Sequence, residues 1–430
     1  MESAFTVGLQ WLAIAFLLLM LYFALFEKGL PYRVGRPPSD PLDSERFRRT
    51  LSALAGSTMY AANQVHVLAN GEVFYEAELQ AIRDARDSIH LEAYIFQRGE
   101  VTRRFLQALA ERAAAGVAVR VVLDAVGCFL TTRGYLAPLL QAGGYVSFYH
   151  PIRWYNLPRI NNRTHRELLI IDGKVGFLGG AGFADHWLRR HGHGPRKKPR
   201  WRDTMFRIEG DIVRAMQSVF AENWLESSGR ILFDSRYFPS ADVKGPTEGM
   251  IVGSSPTFGG STRNRMLYQT LLAAAQRSIH ITTPYFLPDR SARSELVRAI
   301  RERGVKVVIL TPGRHADHLL TRRSSRRLYG DLLRAGASIY EYQPSMLHAK
   351  VLIVDGTWSV VGSTNFDNRS FGLNDEVNLA AYCPELATRL EEDFARDLAQ
   401  SRQVNYQTWR RRPFFERGHE LLGWLLERQQ

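Results

Sequence analysis

A chain of 430 residues, 45% of them hydrophobic, is long enough to bury a large core, which excludes an intrinsically disordered protein. Its 56 basic and 43 acidic residues leave a net charge of +13, which suits a protein that meets anionic membranes or nucleic acids. Its two cysteines, Cys128 and Cys383, lie far apart, so the sequence excludes a disulfide framework and a zinc site and predicts two free thiols.

The N-terminal segment is strongly apolar. Residues 3–26 carry no charged side chain, and a helix of this length, at about 1.5 Å per residue, is long enough to cross a bilayer. No basic residue precedes the run, which favours a retained transmembrane anchor over a cleaved signal peptide. Basic residues such as Lys28 and Arg33 follow it, so the positive-inside rule predicts a cytoplasmic body. We expect an anchor over 1–28 and a linker over 29–58.

From residue 59 onward, predicted strands alternate with predicted helices. The strands are expected over 65–68, 88–96, 116–124 and 145–149, and the helices over 76–85, 101–115 and 136–142. Strands that alternate with helices are typical of a mainly parallel sheet covered by helices. The sequence therefore predicts an α/β fold.

The second half of the chain repeats the order of the first. Ser278-Ile279-His280 matches Ser88-Ile89-His90, and the apolar strand that begins at Gly304 matches the one that begins at Gly116. We therefore predict a tandem duplication whose two lobes meet face to face. The expected segments are a first lobe over 59–234, a linker over 235–249, a second lobe over 250–402 and a basic, amphipathic tail over 403–430.

The functional interpretation depends on one stretch of the second half. His348 and Lys350 stand two residues apart, ahead of an apolar run that ends at Asp355-Gly356. We predict a strand here, which would place both side chains on one wall because side chains alternate between the faces of a strand. The residues after Asp355 predict a strand that returns alongside the first.

The first half contains the same stretch. His165 and Glu167 occupy the places of the histidine and the lysine, and Asp172 occupies the place of the aspartate. In each half a glycine follows the aspartate by seven positions, Gly179 in the first and Gly362 in the second. A lone histidine on a strand is more often a core residue than a catalyst, but a duplicated pattern of this length argues against coincidence.

The two stretches resemble the paired His-x-Lys-x4-Asp motifs of the phospholipase D superfamily, and the chain is similar to bacterial cardiolipin synthases over about residues 60–415. The second stretch matches the motif in full and continues with Ser363 and Asn365. The first departs from the motif, because Glu167 replaces the lysine and Gly182 replaces the asparagine.

The resemblance implies two similar α/β lobes, each with a mixed sheet flanked by helices, whose motifs line one cleft at a pseudo-twofold interface. It implies a phosphatidyltransferase of the bacterial inner membrane that joins two phosphatidylglycerol molecules into cardiolipin without a cofactor or metal ion. One of His165 and His348 would attack the phosphodiester to form a phosphohistidine, and the other would protonate the leaving alcohol. Lys350, Asn365 and Ser363 would bind the phosphate.

Each histidine also needs a carboxylate that fixes its tautomer. The resemblance places this acid about thirty residues downstream of each histidine. It points to Glu376 for His348 and, beyond a basic insertion, to Asp203 for His165. The alternative for either acid is a surface carboxylate paired with a neighbouring arginine.

The other acids of the motifs invite separate interpretations. Asp172 and Asp355 lie at the far ends of their strands, so we expect them to hold the turns rather than to react. Glu167 would repel a phosphate unless it were protonated or paired with Arg163 or an arginine of the insertion. It is also interpreted as a ligand for an acceptor hydroxyl, such as that of glycerol, which we favour, or as the mark of a lobe that has lost activity.

Two basic clusters, Arg189–Arg202 and Arg314–Arg327, favour contact with anionic lipid when they accompany a membrane anchor, although a basic run is more often a solvated face. In the tail, Trp409 and an apolar stripe that begins at Leu421 predict either an interfacial segment or packing on the body. Hydrolysis of phospholipid is the main alternative to transfer, followed by a nuclease and an inactive lipid-binding scaffold. No nucleic-acid partner is expected, and the oligomeric state stays open.

Overall fold

The computed structural model describes residues 2–26, 32–35, 38, 40–152, 161–188, 199–255 and 263–413. Within these residues the chain forms seventeen strands and fourteen α-helices. Helix α2 (Glu45–Ala55) begins at Ser44, whose side chain accepts a hydrogen bond from Phe47 N, and ends at Gly56. Its buried side chains, Phe47 among them, pack on the core of the second half.

Helix α1 (Glu2–Phe26) covers the apolar N-terminal run. Its apolar side chains are exposed where they are described, for example Trp11 at 66% and Leu17 at 65%. In the part of the chain that the structure describes, no helix combines the length and the apolar character needed to cross a membrane. The predicted transmembrane anchor and its topology are therefore not confirmed.

The first half forms seven strands and five helices in its described part. The strands are β1 (Tyr60–Ala69), β2 (Ser88–Ala93), β3 (Ala118–Asp124), β4 (Tyr145–Tyr149), β5 (Leu168–Ile171), β6 (Val175–Gly179) and β7 (Thr204–Glu209). The helices are α3 (Gly71–Asp84), α4 (Glu100–Ala114), α5 (Ala137–Gln141), α6 (Asp185–Leu188) and α7 (Val213–Ser228). Every strand and helix predicted for this half is present, with ends that differ by a few residues.

The second half repeats this arrangement with some additions. The strands are β8 (Thr247–Ser254), β9 (Ser278–Thr282), β10 (Phe286–Leu287), β11 (Lys306–Pro312), β12 (Ser338–Tyr342), β13 (Val351–Val354), β14 (Trp358–Gly362), β15 (Phe366–Asp367), β16 (Glu376–Tyr382) and β17 (Ser401–Gln403). The helices are α8 (Arg263–Ala274), α9 (Arg290–Arg303), α10 (Leu319–Arg327), α11 (Tyr329–Ala335), α12 (Asn368–Gly372), α13 (Pro384–Ala399) and α14 (Tyr406–Arg410).

Fifteen of these strands form one sheet. Across the first half their order is β1-β7-β6-β5-β2-β3-β4, and across the second half it is β8-β16-β14-β13-β9-β11-β12-β17. The two orders match strand for strand apart from β17, and antiparallel pairing of β1 with β8 joins the halves. The fold therefore contains the α/β unit twice. The limits predicted for the lobes stay a prediction, and β8 begins within the segment 235–249 predicted as a linker.

The sheet is mixed rather than mainly parallel. Parallel pairs join β2 to β3, β3 to β4, β9 to β11 and β11 to β12. The strands after each histidine, β5 with β6 and β13 with β14, are antiparallel. The mixed sheet that the family resemblance implies is confirmed. The mainly parallel sheet inferred from the alternation of strands and helices was wrong, because a tight Asp-Gly turn joins antiparallel neighbours, whereas parallel strands need a long crossover.

The strand that follows each histidine is buried on both faces. In β5, Leu169 and Ile171 pack in the core of the first half, whereas Leu168 and Ile170 pack in a third core shared by the two halves. Burial on both faces explains why this strand is a continuous apolar run rather than an alternating one. The shared core brings the two histidine segments to the boundary between the halves.

Asp172 and Asp355 hold the turns at the ends of β5 and β13. Both have a φ of 54°, in the left-handed region that aspartate tolerates better than most residues. The Asp172 carboxylate accepts hydrogen bonds from the backbone N–H groups of residues 86–88, and that of Asp355 accepts them from residues 276–278. Each carboxylate thereby ties its turn to the start of the neighbouring strand, β2 or β9.

Two predicted features of the tail and the insertion are only partly visible. Trp409 packs on the body, where its indole N–H donates to the carbonyl of Arg326 at 2.6 Å. The apolar stripe that begins at Leu421 lies outside the described residues, as do residues 189–198 of the basic insertion.

Candidate active site

His348 and Lys350 form one wall of the site at the boundary between the halves. They precede β13 rather than lying within it, because the backbone N–H of His348 donates to the carbonyl of Arg202 in the first half at 2.7 Å. The prediction of a strand over these two residues was wrong on this point. The two side chains nevertheless meet, with Lys350 Nζ 2.9 Å from His348 Nδ1 and the ammonium donating to the His348 carbonyl at 2.9 Å.

Asp203 is the carboxylate that holds the ring of His348. His348 Nδ1 lies 2.8 Å from Asp203 Oδ2, and the same oxygen accepts a hydrogen bond from Trp187 Nε1 at 2.9 Å. The other carboxylate oxygen accepts from the backbone N–H of Thr204 at 2.8 Å. Asp203 is fully buried, so these bonds fix both its position and the orientation of the imidazole.

Glu376 plays the same part for His165. Its two oxygens lie 3.1 and 3.2 Å from His165 Nδ1, and Ser363 Oγ donates a hydrogen bond to the carboxylate. The ring nitrogen is also 3.1 Å from the Ser363 carbonyl. Tyr94 packs edge-to-face against the imidazole, with ring centroids 5.3 Å apart. The His165 side chain keeps 15% of its surface exposed, which leaves the ring accessible.

The carboxylates are exchanged between the halves, which corrects the pairing predicted from sequence. Glu376 was assigned to His348 and Asp203 to His165, each within its own half, but each acid contacts the histidine of the other. The backbone explains the exchange. His165 N donates to Asp375 O at 2.9 Å, as His348 N donates to Arg202 O, so each histidine segment pairs with the residue just before the opposite acid. Neither half therefore completes a histidine–carboxylate pair alone.

Burial and charge set the protonation of the second histidine. Burial lowers the pKa of His348, and the neighbouring Lys350 ammonium lowers it further. Burial also lowers the pKa of Lys350, against the opposing charges of Asp203 and Glu376. For Asp203, burial alone would raise the pKa, but the hydrogen bond from His348 and the charge of Lys350 outweigh it and the pKa is lowered. The group is thus an ionised aspartate beside an imidazole that favours its neutral form.

Glu167 makes different contacts from Lys350, the residue that it matches in the repeat. Its side chain is buried, and Oε1 accepts hydrogen bonds from the backbone N–H groups of Tyr94 and Ile95 at 3.1 and 3.3 Å. Oε2 is buried with no hydrogen-bond partner among the described residues. Burial raises the pKa of Glu167 well above 4.5. Pairing with Arg163 is not observed, because that guanidinium lies against Asp124 instead.

Two glycines in the first half leave room for the side chains of Glu167 and Lys350. A Cβ on Gly182, which stands in place of the motif asparagine, would lie 3.0 Å from Glu167 Oε1 and 2.8 Å from Ile95 Cβ. A Cβ on Gly180 would lie 2.8 Å from Lys350 Nζ. The lysine of the second half therefore reaches across to the glycine loop of the first, and the replacements at 167 and 182 are neighbours in space.

Asn365 and Ser363 differ in how far their side chains are already engaged in hydrogen bonds. Asn365 is buried, and its Oδ1 has no hydrogen-bond partner in the described part of the chain. The Ser363 hydroxyl donates to Glu376 and accepts from the backbone N–H of Val377 at 3.1 Å. The direct contact with substrate predicted for Ser363 stays a prediction, because here the hydroxyl holds the carboxylate of a histidine.

A cavity of about 290 Å³ is lined by Trp201, whose ring packs against His348. Trp201 and Met346 form its inner wall, and the Trp201 ring lies 5.3 Å from the imidazole by ring centroids. Arg314 and Leu319 are among the residues on its outer side. Its size is at the lower end of small-molecule sites, which are about 300–1,000 Å³. In the described chain, no group of three or more His, Cys, Asp or Glu side chains is placed to hold a metal ion.

Sequence reasoning missed the aromatic residues of the site. Trp187 and Trp201 stand at 5.4 and 5.3 Å from the His348 ring, and Tyr94 packs against His165. Trp187 and Trp201 stand on either side of the basic insertion in sequence, and a tryptophan two positions before a suspected catalytic acid is a weak signal. The indole contact with Asp203 could not be inferred from spacing.

The duplicated α/β unit, with one histidine motif in each half and carboxylates exchanged at their boundary, defines a protein of the phospholipase D class. A family model described as "Cardiolipin synthase, PLD-like domain" matches residues 79–192 and 268–398. The chain belongs to this family of phosphatidyltransferase enzymes.

Similar proteins agree with this assignment. A cardiolipin synthase of Listeria innocua is 34% identical over 377 residues, covering 86% of this chain and 76% of its own. Cardiolipin synthase 1 of Bacillus cereus is 34% identical over 363 residues, covering 82% of this chain and 69% of its own. The crystal structure of a phosphatidylserine synthase from Haemophilus influenzae has the same fold, with a TM-score of 0.70 at 14% identity, covering 90% of this chain and 100% of its own.

Proposed function

We propose that the protein transfers a phosphatidyl group from one phosphatidylglycerol molecule to a second, forming cardiolipin and releasing glycerol. The observation that carries the proposal is the pair of histidines, each bonded to a buried carboxylate of the other half. Two imidazoles at one boundary suit a two-step displacement at phosphorus, in which one ring is the nucleophile and the other moves protons.

In the first step, a neutral ring nitrogen of His165 or His348 attacks phosphorus. A nitrogen–phosphorus bond forms, the bond to the glycerol oxygen breaks, and the other imidazolium protonates that oxygen. In the second step, the now neutral imidazole takes the proton of a hydroxyl on the second phosphatidylglycerol. The resulting oxygen nucleophile attacks phosphorus, the nitrogen–phosphorus bond breaks, and both rings return to their starting state.

The charges of the site support unequal roles for the halves. Lys350 supplies the positive charge that stabilises the phosphoryl oxygens as charge builds in the transition state. Asn365 is a further polar group of the cleft, because its Oδ1 has no hydrogen-bond partner among the described residues. Glu167 supplies no cation, and its Oε2, which has no hydrogen-bond partner in the described part of the chain, suits a hydrogen bond with the acceptor hydroxyl. We assign donor phosphate to the side of Lys350 and acceptor alcohol to the side of Glu167.

The substrate places this enzyme at a bacterial membrane. The exposed apolar side chains of α1 and the basic residues that follow it support attachment through the N-terminus with the body on the cytoplasmic side. Fractionation of cells, followed by protease treatment of sealed vesicles of each orientation, tests this arrangement. Digestion of the body in right-side-out vesicles would overturn it.

The activity is tested with purified protein on vesicles of phosphatidylglycerol, on phosphatidylethanolamine and on single-stranded DNA, with identification of products. Cardiolipin and glycerol from phosphatidylglycerol are the expected result, whereas phosphatidic acid alone would show hydrolysis and cleaved DNA a nuclease. His165→Ala and His348→Ala should each remove nearly all turnover, and His66→Ala, an exposed histidine of β1, should remove none. If either site variant kept more than about a tenth of the activity, a loss below ~1.4 kcal/mol, the two-histidine mechanism would be wrong.

A further inference from the structure

Two equivalent loops border the cleft on its open side. Residues 125–135 follow β3 and are called here the first rim loop, and residues 313–319 follow the matching strand β11 and are called the second rim loop. Strands β3 and β11 run parallel to β2 and β9, whose ends lie beside the histidine segments. Both loops therefore leave the sheet at the edge that carries the site.

The first rim loop is anchored on one side and exposed on the other. Cys128 is buried, with its Sγ 3.2 Å from the carbonyl of Tyr94, the residue that packs against His165. The next two residues, Phe129 and Leu130, are 73% and 66% exposed. A loop held this firmly at its base presents two adjacent large apolar side chains to solvent next to the cleft.

The second rim loop repeats this feature. Its base is fixed by a hydrogen bond from the backbone N–H of Gly313 to the carbonyl of Tyr342 at 2.8 Å. Leu319 is 58% exposed and lines the cavity of about 290 Å³ together with Arg314 and Trp201. Single exposed apolar residues need no explanation. Exposed apolar side chains at the tips of two equivalent loops around one cleft require one.

The charges around these apolar side chains indicate an anionic partner. The first rim loop contains Arg133 and no acidic residue. Helix α10, which continues the second rim loop, contains four arginines and no acidic residue; two of them, Arg322 and Arg326, pair with Glu341, and Arg314 of the loop adds an exposed cation. The single acid of the second rim loop, Asp317, accepts a hydrogen bond from the hydroxyl of Tyr285. Apolar tips flanked by basic side chains fit the interface of an anionic bilayer, where apolar groups enter the headgroup region and cations meet phosphates.

We propose that the two rim loops dock on the surface of an anionic phospholipid bilayer, with Phe129, Leu130 and Leu319 inserted among the headgroups. The cleft then opens directly onto the membrane, and a lipid headgroup reaches the histidines without leaving the bilayer. The inference rests on the proposed function only in that the cleft accepts a lipid; the docking itself is a separate physical event.

The first experiment reads the position of the loop directly in the full chain. Both native cysteines are buried, so a Leu130→Cys variant can be labelled at residue 130 with an environment-sensitive fluorophore. In vesicles of phosphatidylglycerol and phosphatidylethanolamine, the dye should shift to the blue and be quenched by nitroxide-labelled lipid. Phe233→Cys is the matched control: it is 95% exposed, and Arg230 beside it in sequence lies over Tyr145, at the opposite end of β4 from the site.

The outcome at residue 130 decides the proposal even though α1 also presents apolar side chains to lipid. A blue shift with quenching at 130 and neither at 233 supports docking of the rim. No shift at 130 in pure lipid vesicles overturns it and leaves a protein as the remaining occupant of this surface. Equal shifts at 130 and 233 overturn it as well, because they show adsorption without a preferred face.

The second experiment separates docking from chemistry. The double variant Phe129→Asp/Leu130→Asp should lose about tenfold or more of its turnover on vesicle lipid but stay within about twofold on a short-chain phosphatidylglycerol dissolved as monomers. Ile231→Asp/Phe233→Asp should change neither. Equal losses on both substrates would show that the loop shapes the cleft and would overturn the proposal. If the natural protein turned over neither lipid form, the proposed function would fail, and the fluorescence result would still decide the docking.

Discussion

His348 Nδ1 lies 2.8 Å from Asp203 Oδ2, although 145 residues and the boundary between the two halves separate them. Glu376 and His165 make the reciprocal contact at 3.1 Å. The site is therefore a product of the interface: a shift of one half against the other would disturb both histidines together. This arrangement makes the orientation of each imidazole depend on a residue outside its own motif.

Asp203→Asn is expected to lower kcat on phosphatidylglycerol by about 10²-fold or more, the usual contribution of proton transfer by an oriented side chain. The amide keeps the shape of the carboxylate but removes the charge that stabilises protonated His348. Loss of that charge lowers the pKa of the ring, so the limb of the kcat profile that His348 governs should move to lower pH. Asp211→Asn is the control, because Asp211 is half-exposed and pairs with Arg214. An unchanged pH profile would contradict the assigned contact.

Much of this fold could be predicted from the sequence, because the same pattern of strands, helices and motif residues occurs in both halves of the chain. The recurrence of Ser88-Ile89-His90 at Ser278 has a physical cause in the structure: the N–H groups of Ser88 and Ser278 both donate to the turn aspartates. Local patterns of this kind survive in sequence because they join neighbouring elements. The predicted strands and helices of the first half followed from such patterns, whereas strands such as β7, β8 and β16 were not predicted.

The pairing of acids with histidines could not be predicted in this way. Sequence distance suggests that Glu376 serves His348, whereas the contact depends on two backbone bridges across the interface, Thr164 with Asp375 and Arg202 with Leu347. Such bridges involve no characteristic side chain. The contacts of Glu167 could not be predicted for a similar reason, because its partners are the backbone N–H groups of Tyr94 and Ile95.

Turnover is expected to need no divalent metal ion. The motifs supply nitrogen nucleophiles and a lysine cation, so the protein's own groups can stabilise the charge on phosphorus that a metal would otherwise carry. The measurement is the rate of cardiolipin formation with and without excess EDTA. If activity were lost in EDTA and restored by Mg²⁺ or Mn²⁺, the prediction would be contradicted.

Gly180→Ala should impair catalysis without unfolding the protein. The new methyl group would lie 2.7 Å from Lys350 Cδ and 2.8 Å from Nζ, and the flexible lysine can move aside at small cost. Moving the ammonium away from the phosphate removes part of its stabilisation, so kcat should fall about tenfold or more. Gly35→Ala is the matched control, since a Cβ there would have no neighbour within 4 Å. Thermal unfolding of both variants within about 1 kcal/mol of the natural protein checks the fold, and an unaffected kcat for Gly180→Ala would show that Lys350 needs no fixed position.

Glu78→Met should stabilise the protein, by about 1–3 kcal/mol. Glu78 on α3 is buried, and neither of its carboxylate oxygens has a hydrogen-bond partner in the described residues. Burial raises its pKa well above 4.5, so the folded state must keep a proton that the unfolded chain releases as the pH rises above that value. The gain from Glu78→Met should therefore grow with pH from about 4.5 upward.

Denaturant unfolding at several pH values measures this effect. Glu76→Met, on the same helix but exposed and paired with Arg104, should change stability by less than about 0.5 kcal/mol at each pH. A stabilisation by Glu78→Met that did not vary with pH would mean that the carboxyl is ionised alike in both states.

The last prediction concerns Glu167, which stands where the family motif has a lysine. A lysine at 167 cannot use the N–H groups of Tyr94 and Ile95, because they are donors like itself, so its ammonium must turn toward the cleft and the phosphate. If Glu167 binds the acceptor hydroxyl, Glu167→Lys should keep formation of the phosphohistidine but lose transfer to glycerol-bearing acceptors. Water would then replace the alcohol, and product would shift from cardiolipin to phosphatidic acid.

Glu167→Gln is the control for shape, because its amide keeps one oxygen for the two N–H groups and offers a donor in place of Oε2. It should retain most of the cardiolipin fraction, since an N–H can still bond the acceptor oxygen. Lipid extraction after reaction with radiolabelled phosphatidylglycerol measures both products. If Glu167→Lys instead created activity in a natural protein that had almost none, the first half would be a decayed site. An unchanged product ratio at an unchanged rate would defeat both interpretations, because Glu167 would then be a buried acid that holds the Tyr94–Ile95 backbone and never meets the acceptor.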